Sequence, residues 1–332
     1  MSLDPGDNME LTQTLQFIAG WLRSDPAASP RLCWTTSATP PTDRNSSART
    51  WTASPSSSAA TTASSSSAKT PAYPPGCDHG GMEVAAADLA ELALAAAAAH
   101  QRMWASASRM TDDSCSAPSL LPGWSRGHVL AHWASNADGQ TRMLQAAMRG
   151  EVAAQYPGGD AQRAADIETG AARPAPLILQ DVRAAVDRVE DAWRRMPPEA
   201  WSRPTGARIG QRPAWKSVWA RWRETEIHHV DLDVGYTHDH WPAEFVSLMI
   251  PRVVSTLDTR LTGKAAVRVQ TDGRQWIQAS TAAAASDDPV IVRGAASAVL
   301  CWLTGRPVPA TADLTASRSG QPCPLPQLRP WS

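Results

Sequence analysis

Four stretches of apolar residues at helical spacing, each cut off by proline or glycine, leave this chain few folds to choose from. The first, 84–110, places Leu89, Leu92 and Leu94 in an alanine run that continues to Met103 and Trp104, and alanine is the strongest helix former. Ser116-Ala117-Pro118-Ser119-Leu120-Leu121-Pro122-Gly123 interrupts it, because two prolines and a glycine do not continue a helix. The second runs over 124–149 with Val129, Leu130, Trp133, Ala137, Leu144 and Met148 on one side, and Gly150 marks its end. Tyr156-Pro157-Gly158-Gly159-Asp160 then reads as a turn, with Asp160 as the cap of a short helix through Ile167. The third long stretch, 175–195, carries Val182, Val186, Val189 and Trp193 at i, i+4, i+7 and i+11 and stops at Pro197-Pro198. The fourth begins near Pro213, since proline is favoured in a first helical turn. It continues through Trp215, Val218, Trp219 and Trp222 to about Asp233, closed by Gly235. Long helices joined through such breaks describe a four-helix bundle.

The character changes after Trp241-Pro242. A helix over 244–261 leads to the alternating strand Ala266-Val267-Arg268-Val269-Gln270, a turn at Thr271-Asp272-Gly273, and a return strand at Gln275-Trp276-Ile277-Gln278. A third strand at 289–293 and a closing helix at 295–303 complete a small α+β domain. The fold class expected is therefore α+β and multidomain. Its parts are a low-complexity extension over 1–81, a bundle over 82–238, a small α+β domain over 239–310 and a loose tail over 311–332. Within the extension, 9–24 has Leu11, Leu15, Ile18 and Leu22 at helical spacing. The Ser/Thr/Ala/Pro tract over 25–81 cannot bury enough apolar surface to offset its ordering entropy and reads as disordered. Met82, directly before the first periodic stretch, is a candidate start of the functional unit.

Composition narrows the function classes. A formal charge of −1 and a pI near 6.7 speak against nucleic acid, whose partners carry a basic stripe. No window approaches 18 uncharged apolar residues, so no membrane helix is expected. Cys33, Cys77, Cys115, Cys301 and Cys323 are odd in number and form no CxxC pair, against a disulfide framework or a zinc knuckle. The N-terminus lacks the basic-then-apolar order of a secretory signal. A cytoplasmic protein with no nucleic-acid or membrane partner fits these traits.

Chemistry concentrates in Arg223-Glu224-Thr225-Glu226-Ile227-His228-His229-Val230-Asp231-Leu232. Positions four apart share a helix face, so Glu224 and His228 point the same way. Gly127-His128-Val129-Leu130-Ala131-His132, on the second helix, offers another histidine from His128 or His132. Two imidazoles and one carboxylate from two helices form a three-ligand site with a free position, as catalytic zinc requires. The bland alternative is a set of hydrogen-bonded core histidines beside an i, i+4 pair that merely supports its helix. The order Glu-x-x-x-His differs from His-Glu-x-x-His, so the base of a zinc protease is absent. His229 points about 100° away from His228 around the helix. Asp231 and Asp233 lie where they could orient a ligating imidazole or simply be solvated at the helix end. His238 and His240 read as exposed loop residues.

Leu121-Pro122-Gly123-Trp124-Ser125-Arg126-Gly127-His128-Val129-Leu130-Ala131-His132, followed by Asn136-Ala137-Asp138, resembles the mycothiol-dependent maleylpyruvate isomerase family. Three further stretches agree in the same order. These are Tyr156-Pro157 with Arg163 and Asp166-Ile167-Glu168 before Gly170-Ala171, then Glu224 to Leu232, then Trp302-Leu303-Thr304-Gly305-Arg306. The likeness covers about 83–310, and residues 1–81 have no counterpart in it. It implies an N-terminal bundle of the DinB type followed by a small α+β domain. It also implies that His132, Glu224 and His228 bind zinc and that Arg306 is a catalytic arginine. Arg163 is a candidate for binding the thiol cofactor, with a surface ion pair as its alternative, and Arg306 could instead satisfy helix-end carbonyls.

The implied activity is the mycothiol-dependent, zinc-assisted isomerisation of maleylpyruvate to fumarylpyruvate, a step of gentisate-type aromatic breakdown. Its partners would be a small-molecule thiol, mycothiol, and a small anionic or electrophilic substrate. The alternatives are a mycothiol S-transferase acting on electrophiles and a non-catalytic metal-binding module of the same fold. Two departures from the family pattern stand out. Trp133 follows the ligand histidine where relatives have leucine, which would narrow the pocket beside the metal. The alanine run within 280–287 leaves strand pairing in the second domain open.

Overall fold

A computed structural model describes residues 86–208, 210–262, 266–271, 274–276 and 288–329. The helix expected over 9–24, the disordered tract over 25–81, the start at Met82, the turn residues Asp272 and Gly273, the end of the return strand and the 280–287 run lie outside these residues.

The periodic stretches become α1 (Ala86–Ala107), α3 (Arg126–Met148), α5 (Ala175–Arg195) and α6 (Lys216–Asp231). Between them lie a short α2 (Asp112–Ser116) and α4 (Gly159–Ala171). Helix α3 packs along α5, α1 packs along α6, and α4 lies on α3. Ala96, Ala99, Ala137, Ala147 and Ala185 are buried along the helix faces, and small residues let helices approach closely. Trp133, Trp193, Trp222 and Met103 fill the space between them, and emptying one tryptophan site would cost about 3–5 kcal/mol.

One buried cation ties all four long helices together. Arg221 of α6 is fully buried. Its Nε donates to His100 Nε2 of α1 at 3.1 Å, and its Nη1 donates to the carbonyl of Trp133 on α3 at 2.9 Å. The opposite ring nitrogen of His100, Nδ1, lies 2.7 Å from Glu190 Oε1 of α5. Because arginine only donates, His100 Nε2 must accept, so the ring hydrogen sits on Nδ1 and faces Glu190. The guanidinium also lies over the Trp133 ring, 4.5 Å from its centroid. Trp133 is thus wholly committed to the core and does not narrow the pocket, contrary to expectation.

Several local expectations give way to competing contacts. The fourth helix starts at Lys216 rather than Pro213, because Pro213 ends a hairpin of β1 (Pro204–Gly206) and β2 (Gln211–Pro213). Helix α4 starts at Gly159 with Gly158 as its uncapped flank, and Asp160 instead pairs with Arg208 across 2.9 Å. Gly139 of α3 has a clear packing reason. A Cβ there would meet Gln155 Cγ at 2.8 Å and Gln155 O at 2.9 Å, in the segment that carries the chain towards α4.

Beyond the bundle, the helix expected over 244–261 divides into α7 (Ala243–Val254) and α8 (Leu257–Arg260). A mixed sheet follows in the order β4-β3-β5-β6-β7. Strands β3 (Val267–Thr271) and β5 (Val290–Gly294) are parallel, β4 (Arg274–Trp276) flanks β3 antiparallel, and α9 (Ala296–Leu303) covers the sheet. The tail is not loose: β6 (Leu314–Arg318) pairs antiparallel with β5, and β7 (Gln321–Pro322) adds to it. Buried Ala316 aligns with Val292, an anchor too small to stand out in a polar segment.

His229 is held neutral inside the bundle. Burial first, then Arg102 and His240, push its pKa down to about 3. Its Nε2 lies 2.8 Å from Ser106 Oγ and its ring stacks on Tyr236. The unfolded chain takes up this proton near the ordinary histidine pKa of about 6.5, whereas the folded chain refuses it until about 3. Stability is therefore expected to fall as pH drops from 6.5 towards 3. One such group contributes up to about 1.4 kcal/mol per pH unit. His229→Gln should flatten the slope by about one proton in denaturant unfolding at pH 7 and pH 5, and an unchanged slope would refute this. His238, expected to be exposed, is buried beside Asp239, while His240 is exposed.

Candidate metal and substrate site

The site is built where α3 and α6 face each other. Ser125 starts α3 through a reciprocal cap: its hydroxyl accepts from His128 N, and its own N–H donates to His128 Nδ1 at 3.1 Å. That commits His128 to the helix end, with Nε2 turned to Glu168 Oε2 at 3.1 Å. One turn deeper, His132 points inward and is 4% exposed. On α6, Glu224 and His228 share the opposing face as the four-residue spacing predicts.

The three side chains converge on one point. His132 Nε2 is 3.1 Å from His228 Nε2 and 3.3 Å from Glu224 Oε2, and His228 Nε2 is 3.3 Å from the same oxygen. A tetrahedral zinc with ligand bonds of about 2.0–2.1 Å holds its ligand atoms about 3.3 Å apart, so this triangle matches one face of such a centre. Among the described residues this is the one group of three donors close enough to share a cation.

The protonation states suit that use. Burial first, with further pushes from His228 and Arg163, lowers the His132 pKa to about 4, so its ring is neutral near pH 7. Burial alone would raise Glu224, but hydrogen bonds from His132 and His228 and the charge of Arg223 outweigh it and hold the carboxyl well below its usual range. His228 moves upward: burial opposes the charge, yet Asp231 and Glu224 prevail. A cation must therefore compete with a proton at His228.

Support lies one layer out. His228 Nδ1 donates to Asp231 Oδ2 at 2.9 Å, which directs Nε2 at the shared point. Asp231 is completely buried, and Arg306 grips it with two bonds, Nε to Oδ1 at 3.0 Å and Nη2 to Oδ2 at 2.7 Å. Arg306 Nη1 donates to Thr304 O at 2.8 Å. Asp233 behaves differently, lying at the surface beside Arg126. Arg163 is no surface ion pair, since its Nη2 donates to His132 Nδ1 at 3.0 Å.

His132, Glu224, His228, Arg163 and Arg306 line a cavity of about 340 Å³ walled also by Trp124, Asn136, Gln140 and Tyr156. Among the described residues, five arginines reach it, Arg163, Arg208, Arg212, Arg223 and Arg306, against one acid, Glu224. Sequence reasoning missed Arg208 and Arg212. The available signal was Arg208-Ile209-Gly210-Gln211-Arg212, two arginines flanking a glycine turn in a segment without helical periodicity.

A helix bundle with a three-donor site, followed along the chain by a small α+β domain, defines the class. Comparison points to one family: residues 96–233 match the model of the mycothiol maleylpyruvate isomerase N-terminal domain. The crystal structure of the mycothiol-dependent maleylpyruvate isomerase shares the fold at a TM-score of 0.65. It is 24% identical over 73% of this chain and 97% of that one. A histidine-to-alanine mutant of that enzyme matches at the same TM-score with 23% identity. No curated protein sequence matches this chain. Among the described residues, no helix is long and apolar enough to cross a membrane.

Proposed function

We propose that the chain is a metal- and thiol-dependent isomerase that converts maleylpyruvate to fumarylpyruvate with mycothiol. The observation that carries this reading is the triangle of His132, Glu224 and His228, with sides of 3.1–3.3 Å, set in the wall of an arginine-rich cavity. The matching domain family and the shared fold support it.

His132, Glu224 and His228 would hold Zn²⁺ and leave one coordination position facing the cavity. Zinc there would make a thiol acidic enough to be a thiolate near neutral pH, and mycothiol would supply a sulfur that adds to a conjugated cis double bond and later leaves, freeing the bond to rotate between. The chain's own residues do the rest. Asp231 keeps the His228 hydrogen on Nδ1, and Arg306 keeps Asp231 ionised and in place. Arg163 has a conditional role. A neutral imidazole that uses Nε2 as a ligand carries its hydrogen on Nδ1, which then cannot accept from Arg163. Ligation by His132 thus frees the Arg163 guanidinium for the thiol or an anionic substrate. The Tyr156 ring, whose centroid lies 5.4 Å from that guanidinium, borders the same space. Charge is the cavity's other contribution, since a dianion entering it meets arginine on several sides.

Incubating the protein with maleylpyruvate should give fumarylpyruvate with mycothiol and none without it. Conjugation of a model electrophile without isomerisation would instead favour an S-transferase. Absence of both reactions, with no bound metal, would reduce the chain to a binding module.

A further inference from the structure

Four of the five cavity arginines already hold an acceptor. Arg306 grips Asp231, Arg208 grips Asp160 with two bonds, Arg223 donates to Glu224 Oε1 at 2.9 Å, and Arg163 donates to His132. Arg212 is the exception. Among the described residues its guanidinium makes no hydrogen bond and no ion pair, and its Nε is sealed from solvent without a partner. Its backbone is nevertheless fixed. Arg212 O accepts from Thr205 Oγ1 at 2.9 Å, and the residue sits in register opposite Thr205 in the hairpin. Its side chain is therefore held on a short, paired strand, not a floppy loop, and it ends in a cavity shared with Glu224, His228 and Arg223.

Arg212 is half-buried with its Nε sealed, and a cation partly withdrawn from water without a counter-ion is costly unless a ligand supplies the missing charge. Burial and the neighbouring Arg223 both disfavour the charge on Arg212, and Glu224 only partly offsets them. When Glu224 is shared with a cation, its help to Arg212 shrinks further. The planar fork of a guanidinium fits one ligand chemistry best, a carboxylate held by two bonds.

We propose that Arg212 is a substrate-binding residue that takes a carboxylate of a small dicarboxylate in the cavity it shares with the three-donor centre. This rests on the isomerase reading for the substrate's identity but not for the binding itself. It adds an unpaired cation from β2 of the hairpin to a site built by α3, α4, α6 and the turn after α9, where the hairpin's other arginine, Arg208, is already paired with Asp160.

The test uses the full chain as purified, with maleate as the dicarboxylate probe and dimethyl maleate as its uncharged counterpart. Calorimetric binding is measured for wild type, Arg212→Gln and Arg212→Lys. Loss of a charge-assisted pair costs about 1.5–3 kcal/mol, so maleate should bind Arg212→Gln about ten- to a hundredfold more weakly, with Arg212→Lys between. Dimethyl maleate should distinguish none of the three. Metal content and melting temperature, expected to match wild type, separate lost binding from lost fold. Equal maleate affinity in wild type and Arg212→Gln overturns the proposal, as does a wild type that binds no maleate. Failure of the isomerase reading looks different: no turnover of maleylpyruvate, yet maleate affinity still set by Arg212. If turnover exists, Arg212→Gln should raise KM for maleylpyruvate at least tenfold while kcat changes less, and unchanged KM overturns the assignment while leaving the isomerase reading intact.

Discussion

Replacing Glu224 by glutamine is expected to abolish metal retention and to lower isomerase turnover at least about a thousandfold. Glutamine keeps the shape of the side chain but removes the single negative charge of the triad, leaving two neutral imidazoles. Those donors lie in the cavity wall among five arginines, where a divalent cation without a carboxylate ligand meets net repulsion. A metal that polarises or acidifies a reactant contributes several kcal/mol, and about 4 kcal/mol corresponds to a thousandfold. Metal analysis of Glu224→Gln and His132→Ala beside wild type checks the first half, and mycothiol-dependent turnover checks the second. Equal metal content in all three would remove the triad from the chemistry.

Asp231→Ala should be the most destabilising single change around the site. Asp231 has no solvent exposure and receives His228 on one side and the Arg306 fork on the other. Its loss leaves Arg306 desolvated with only Thr304 O as an acceptor, a cost of about 3–5 kcal/mol. His228 also loses the group that orients its ring, which should weaken metal binding about ten- to a hundredfold. The double variant Asp231→Ala/Arg306→Met should be less damaged than the sum of the single changes, because the two residues share one interaction. The sign of the pH dependence follows. Burial would raise the Asp231 carboxyl, but His228 and Arg306 outweigh it and hold it below the usual aspartate value. Its stabilisation is present above about pH 4 and is lost as pH falls below that, through the folded-state pKa. Chemical unfolding of wild type and Asp231→Ala at pH 7 and pH 3 would show the two converging. A constant gap would refute the ion-pair account.

Much of the bundle was legible because its signals are local. The apolar spacing of Val182, Val186, Val189 and Trp193 marks α5 at its observed bounds, and Gly123 and Gly150 stand in the left-handed region that glycine tolerates best. Glu224 and His228 had to share a face once α6 was a helix, since their spacing is a property of one element. Where expectations failed, a partner distant in the chain prevailed. Pro213 looked like a helix start until pairing with Pro204 claimed it, and the tail after 311 looked loose until β5 offered an edge to Ala316.

Residue type and spacing settled that four helices form, that α6 presents a carboxylate and an imidazole together, and that a histidine of the second helix was available to meet them. Local sterics and periodicity need nothing beyond the neighbouring few residues. Which histidine was used, and what surrounds it, arose from packing across long separations. His128 is absorbed by the Ser125 cap, His132 meets His228 from 96 residues away, and Arg306 reaches Asp231 across 75. Arg212 enters the same cavity from a hairpin. Burial made those choices, because a side chain's charge and partners are defined only once the helices close and water leaves.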